Sequence, residues 1–216
     1  KFFNFNVNST LKVAEFCRLQ KIHKLIYINA YPYGIPKYLP IDENHPLDPH
    51  SPYNSSKILS ERLLIDYLYD ITKVVSLRVF NIYGQHQKEN FLIPKIIYQV
   101  NNNEEIKLDD IRPKRDFLYI KDVVRLIEKI LNDNLASGIF NVGSGKSYSV
   151  EKVVEIISRI QKKAFKIKSI NNHRENEILD LYSNIKKVKN AFKWSPVYSL
   201  EDGLTDLLKL PNLNDR

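Results

Sequence analysis

KLIYI (residues 24–28), VVSLRVF (74–80) and the stretch between them, YNSSKILSERLLIDYLY (53–69), decide the fold. The two outer runs are short and almost wholly apolar, as strands covered on both faces are. The middle stretch repeats its apolar residues at helical spacing. Leu59, Leu63 and Tyr67, with Leu64 and Leu68 beside them, predict one inward-facing side. A second amphipathic helix is expected over residues 7–20, with Val7, Leu11, Ala14 and Cys17 on one face. Helix, strand, helix, strand is the rhythm of an α/β protein with a parallel sheet and helical crossovers.

Outward from that unit the pattern loosens. Residues 29–52 are rich in proline and polar side chains and read as a long loop. Helices are expected at 92–101, 121–132, 184–191 and 199–208. Strands are expected at Ile106–Leu108, Ile139–Val142 and Phe165–Ile170. Ser149 is placed to cap a helix that carries Val150, Val153, Val154 and Ile157 on one face.

The chain has 216 residues, 43% of them hydrophobic, enough for one sizeable core. No run is long and apolar enough to span a membrane. Cys17 is the single cysteine, so no disulfide forms within the chain and a cytoplasmic setting is expected. The formal charge of +8 comes from scattered lysines, and nucleic acid is not expected as a partner. A basic surface also suits a diphosphate-bearing substrate. The chain holds no methionine, which suggests a fragment or a processed product.

Tyr53 and Lys57 stand four residues apart at the start of a helix, so they share a face. An ammonium beside a phenol favours the phenolate. Such a tyrosine can take a proton from a sugar hydroxyl while hydride leaves the same carbon. As a bare pair this signal is weak, since ordinary surface chemistry places many tyrosines four before lysines.

PIDENHPLDPHSPYNSSK (40–57), LRVFNIYG (77–84), KRDFLYIKDVV (114–124) and FNVGSGKSYSV (140–150) together resemble the extended short-chain dehydrogenase/reductase family. The wording is nearest to its UDP-glucose 4-epimerase-type members. Asn6-Val7-Asn8-Ser9-Thr10 and Trp194-Ser195-Pro196 fit as well, so the resemblance runs through the whole chain in order. It implies a partial Rossmann-like parallel sheet with a smaller mixed α/β substrate domain. Residues 1–81 would be the later part of an NAD-binding domain. Residues 82–216 would be mainly the nucleotide-sugar domain, with segments near 116–142 returning to the first.

The resemblance also implies roles. Tyr53 would be the catalytic base and Lys57 its partner, also bonding the nicotinamide ribose, with Asn6 beside the cofactor. Asn81, Arg115 and Arg174 would hold the substrate diphosphate and ribose; a guanidinium can donate two bonds to phosphate oxygens. Leu92 and Pro94 would line the base pocket. The bland alternatives are surface ion pairs for the arginines and helix-start packing for Leu92 and Pro94. Helices 7–20 and 53–69 would pair with their copies in a homodimer.

Two departures stand out. No Gly-x-x-Gly-x-x-Gly can be built from the six glycines, at 34, 84, 138, 143, 145 and 203. That turn holds the pyrophosphate of NAD at a helix N-terminus, and it would have to precede Lys1. The family also expects serine or threonine four before the tyrosine of Tyr33-Gly34, where this chain has Asn29. Asparagine can donate a hydrogen bond but cannot relay a proton. Asn29 is carried forward as the candidate at that catalytic position. Tyr31 is the nearby alternative. Gly143-Ser-Gly-Lys-Ser147 mimics the end of a P-loop but has Phe140 where that motif needs glycine. The five histidines lack metal-ligand spacing, and no metal is expected.

Two readings follow. One is an NAD-dependent nucleotide-sugar epimerase that oxidises the sugar at C4 and re-reduces it, with a 4,6-dehydratase or reductase as variants. Ala30-Tyr31 in place of Asp-Glu disfavours dehydration. The other is a non-catalytic remnant that binds a nucleotide sugar or dimerises.

Overall fold

A computed structural model describes residues 1–102, 105–133, 135–170, 172 and 177–209. The chain opens in a π-helical turn, Asn4–Asn8, that runs straight into α1 (Ser9–Leu19). Then come β1 (Lys24–Ala30), α2 (Pro52–Tyr67) and β2 (Lys73–Val79). β1 and β2 pair in parallel, Lys24 opposite Lys73 through Ala30 opposite Val79. β7 (Gly138–Val142) adds on the far side of β2, also parallel, giving the order β1-β2-β7. The α/β class and the parallel pairing accord with the reading of the sequence.

The two anchor strands differ in a way the sequence does not display. β2 lies in the middle and is buried along nearly its whole length. Among the described residues β1 has a sheet neighbour on one side only, and Ile28 is 43% exposed. Its apolar run signals a strand, but it is not covered on both faces.

α2 starts where Ser51 caps it, its hydroxyl accepting from the Asn54 amide at 3.1 Å, with Pro52 in the first turn. The inward face keeps Leu64 and Leu68 from the expected stripe, with Leu63 half-buried beside them, and adds small and charged side chains. Leu59 and Tyr67 are exposed, while Ser56, Ser60, Glu61, Leu64 and Leu68 are buried. α1 likewise buries Thr10, Ala14 and Cys17, while Leu11 is exposed. Small side chains on both helices let the backbones approach closely. The leucines left outside give α1 and α2 an apolar outer surface.

Six shorter strands in three pairs, with their helices, carry the chain away from this sheet and back. β3 (Asn81–Tyr83) pairs in parallel with β6 (Phe117–Tyr119). β4 (Glu105–Leu108) pairs in parallel with β9 (Lys166–Ser169), and β5 (Lys114–Arg115) pairs antiparallel with β8 (Tyr148–Ser149). α3 (Leu92–Asn102) and α5 (Val150–Gln161) pack with α7 (Leu200–Lys209) around Ile93, Ile96, Ile106, Val153, Ile157 and Leu204. Ser149 caps α5 by accepting from the Lys152 amide at 3.1 Å. α4 (Ile120–Asn132) and α6 (Lys186–Phe192) cover the other side of the three-stranded sheet, against Leu77, Phe140 and Val142. Trp194 joins that core, its indole N–H donating to the Asp122 carbonyl at 3.1 Å. Among the described residues no helix is long and apolar enough to cross a membrane.

Candidate active site

Ligands of open parallel sheets bind beyond the carboxyl ends of the strands. Here those ends are Ala30, Val79 and Val142. The first turn of α2, the π-helical turn and the cleft beyond β3 are the candidate surfaces built around them.

Tyr53 lies in the first turn of α2, 40% exposed, with its ring edge-on to Phe2 at 5.7 Å. Lys57 follows one turn later. Its ammonium sits 4.5 Å from the centre of the Tyr27 ring and donates to the Ile28 carbonyl at 3.3 Å. Asn6, on the π-helical turn, donates to the Ser56 hydroxyl at 2.8 Å, and Ser56 in turn donates to the Tyr53 carbonyl at 2.7 Å. The π turn therefore brings Asn6, and the residues before it bring Phe2, against the helix that carries Tyr53 and Lys57. Single π turns inside α-helices recur at functional sites.

Asn29 is placed differently from the expectation. It is 1% exposed, its amide donates to Glu61 Oε2 at 3.0 Å, and its Oδ1 accepts from the Ala30 amide at 3.0 Å. Along a strand, side chains alternate between faces, and this register turns Asn29 inward toward α2. Both its polar atoms are occupied in the interior, so it does not offer the open hydrogen-bonding group expected at that position.

The interior it joins is a polar network that the sequence reading missed. Glu61 accepts from Ser76 Oγ at 2.6 Å, Arg78 Nε at 3.1 Å and Arg78 Nη2 at 2.5 Å. Arg78 Nη1 donates to the Tyr33 hydroxyl at 2.8 Å, which donates to Asn141 Oδ1 at 2.6 Å. Burial pushes the Tyr33 phenol up to about 12, with Arg78 pulling against it. The signal was present: Arg78 interrupts an apolar strand, and a buried charge demands a partner. Glu61, one turn after Lys57 on α2, is that partner.

Beyond β3 lies a cleft of about 320 Å³, lined among others by Asn81, Leu92, Lys95, Leu108, Arg115 and Glu177. Asn81, Leu92 and Arg115 thus meet in one place from distant parts of the chain. Pro94 is half-buried in α3 and is not part of the cleft wall, a correction to its pairing with Leu92. Arg174 lies outside the described residues. The wall is not uniformly basic, because acids accompany the cations. Lys95 pairs with Asp109 at 3.0 Å, and Arg115 donates to Glu177 and to the Ile178 carbonyl. A guanidinium held by one carboxylate can exchange it for a phosphate without being desolvated anew.

The P-loop look-alike also has an anion, and it belongs to the protein. The carboxylate of Asp116, fully buried, accepts from the Ser144 amide and hydroxyl, each at 2.6 Å, and from the Gly145 amide at 3.2 Å. It also accepts from the Ser183 amide at 3.0 Å and hydroxyl at 2.6 Å. A Cβ at Gly143 would lie 2.4 Å from the Asp116 carboxylate and 2.3 Å from Ser183 Oγ, so only glycine fits there.

The family model described as GDP-mannose 4,6 dehydratase matches residues 1–207. A Methanocaldococcus jannaschii protein, named provisionally as a UDP-glucose 4-epimerase, is 32% identical over 225 residues. The match covers 99% of this chain and 71% of that protein. The UDP-N-acetylglucosamine 4-epimerase of Methanobrevibacter ruminantium M1, solved with UDP-N-acetylmuramic acid, superposes with a TM-score of 0.86. It is 26% identical, with 95% of this chain and 68% of that one covered. The dTDP-glucose 4,6-dehydratase of Bacillus anthracis, solved with NAD, superposes with a TM-score of 0.85. It is 27% identical, with 96% and 67% covered. The chain spans between 47% and 71% of the length of the curated relatives compared with it.

Proposed function

On the premise that the chain belongs to this epimerase and dehydratase family of nucleotide-sugar enzymes, of extended short-chain dehydrogenase/reductase fold, we propose that it is the substrate-holding and proton-transferring part of an NAD-dependent 4-epimerase. The single observation that carries the reading is a juxtaposition. The helix bearing Tyr53 and Lys57 follows β1, and the cleft with Asn81 and Arg115 begins where β2 gives way to β3.

Tyr53, exposed at the first turn of α2, exchanges a proton with the 4-hydroxyl of the sugar. Lys57, one turn later on α2, would bond the nicotinamide ribose. Bound NAD would supply the hydride chemistry at C4. Asn6, Tyr53 and Lys57 suit its nicotinamide end, while the glycines of this chain form no turn for its pyrophosphate. Arg115 and Asn81 hold the diphosphate, and Leu92 faces the base. Ala30-Tyr31 after Asn29 supports epimerisation over dehydration. The exposed Leu11, Phe16 and Leu59 on α1 and α2 support pairing of two copies through these helices.

The test adds NAD with UDP-glucose or UDP-galactose and follows the product by chromatography. It compares this chain with a longer form that includes any glycine-rich turn upstream. Interconversion of the two sugars by the longer form, lost on Tyr53→Phe, is the expected result. A 4-keto-6-deoxy product would make the protein a dehydratase. Tight binding without turnover would favour the non-catalytic reading.

A further inference from the structure

Lys57 and Glu61 stand four apart on α2, a spacing at which lysine and glutamate side chains commonly pair. Here they do not. Glu61 is taken in the interior by Asn29, Ser76 and Arg78. Among the described residues no carboxylate bonds Lys57. Its charge is held in another way.

Tyr27 supplies the holding surface. It lies in the middle of β1, opposite Ser76 of β2, and packs against Ala14, Cys17, Leu64 and Val74 from α1, α2 and β2. Its ring is therefore fixed on a paired strand. The Lys57 ammonium sits 4.5 Å from the ring centre, inside the reach of about 6 Å for a cation over an aromatic face. The same ammonium donates to the Ile28 carbonyl at 3.3 Å, two residues before β1 ends at Ala30. In the sequence Tyr27 is one more residue of the run 24–28, and nothing local links it to Lys57.

The kind of partner matters. A carboxylate would neutralise the ammonium, and a ligand hydroxyl would have to displace it. A ring face attracts the cation and leaves it charged. An ammonium has three N–H donors, and the Ile28 carbonyl takes one of them. The long side chain is also ordered in advance, which lowers the entropy lost when a ligand binds. We propose that Tyr27 is a positioning residue: its ring face holds the Lys57 ammonium, without a carboxylate partner, for the nicotinamide ribose of NAD. This rests on the role given to Lys57 above. Tyr27 acts only through Lys57.

Two measurements on the full-length protein test it. Trace acetylation, mapped by mass spectrometry, reads the Lys57 amine in the wild type, Tyr27→Ile and Tyr27→Phe, with the exposed Lys12 as internal reference. A ring that stabilises the ammonium slows labelling of the amine. Tyr27→Ile should speed it about two- to fivefold, the scale of a cation–π contact at a partly exposed site, while Tyr27→Phe keeps the wild-type rate. Melting temperatures check the fold, and Tyr27→Leu serves should isoleucine unfold it. Calorimetry with NAD is the second measurement. Tyr27→Ile should weaken NAD binding by about two- to fivefold, and Tyr27→Phe should not. Added to Lys57→Met, Tyr27→Ile should change nothing further. Three results would each return Tyr27 to packing and overturn the inference: unchanged labelling of Lys57 in Tyr27→Ile, unchanged NAD affinity in that variant, or an equal loss in the Lys57→Met background. Lys57→Met without effect on NAD, or a wild type that binds no NAD, would overturn the cofactor role of Lys57, and the inference with it.

Discussion

Replacing Glu61 by alanine tests the buried polar network behind α2. The carboxylate is 3% exposed as a residue and accepts four hydrogen bonds, from Asn29, Ser76 and, twice, Arg78. Glu61→Ala leaves the Arg78 guanidinium buried with only the Tyr33 hydroxyl and the Tyr33 ring face, 5.0 Å away. Removing one partner of a buried ion pair costs about 3–5 kcal/mol, because the other charge stays desolvated. Whole domains are stable by about 5–15 kcal/mol, so the loss takes a large share of the total. With a urea slope of about 2 kcal/mol per molar, the unfolding midpoint should fall by about 2 M. Tryptophan fluorescence of Trp194, 1% exposed, reports the transition. A shift below about 0.5 M would refute the reasoning that Arg78 is left buried without a compensating partner. The double change Glu61→Leu with Arg78→Met removes both charges and should recover more than half of the loss, since apolar replacements of buried pairs are often neutral.

Other outcomes follow from the same geometry. Tyr53→Phe in the full-length protein should lower kcat by about 10²–10⁴-fold, the range for general acid–base groups, with little change in UDP-sugar affinity by calorimetry. Arg115→Ala should weaken UDP binding by about 1.5–3 kcal/mol, as for hydrogen bonds to charged groups, and equal affinity would return Arg115 to its ion pair with Glu177. The Lys121 ammonium and the Tyr119 hydroxyl hold the Asp206 carboxyl below the usual carboxylate range. A depressed folded-state value stabilises the fold above the unfolded value, near pH 4, and that share is lost as pH falls through the folded value. Urea midpoints measured from pH 6 down to pH 3 should therefore fall less in Asp206→Asn than in the wild type. Identical slopes would count against the contact.

What the sequence displays depends on whether the controlling interaction is local. Strand β2, the cap at Ser149 and the helix begun at Pro52 are written in short-range patterns: an apolar run, a hydroxyl before a periodic stretch, a proline in a first turn. On α2 the expected stripe is inward at Leu64 and Leu68 but outward at Leu59 and Tyr67. The buried side is set instead by close approach to the π-helical turn and by Arg78 reaching Glu61 across the sheet. Asn29 was assigned by counting from Tyr33, and counting does not fix which face of a strand a side chain takes. The convergence of Asn81, Leu92 and Arg115 came from resemblance rather than from spacing, since they lie on three separate elements.

The cradle around Asp116 bears on how the molecule comes apart. One carboxylate fastens chain regions 28 and 67 residues apart. It works as a non-covalent clip on two long loops. Closing loops of that length costs entropy that grows only slowly with their size. The five donors can converge only once β6, the turn after β7 and the approach to α6 are already in place. Interactions made that late in assembly act mainly on the rate of unfolding and little on the rate of folding. Loosening the clip would therefore shorten the lifetime of the native state, while the pace at which newly made chains reach it stays nearly the same.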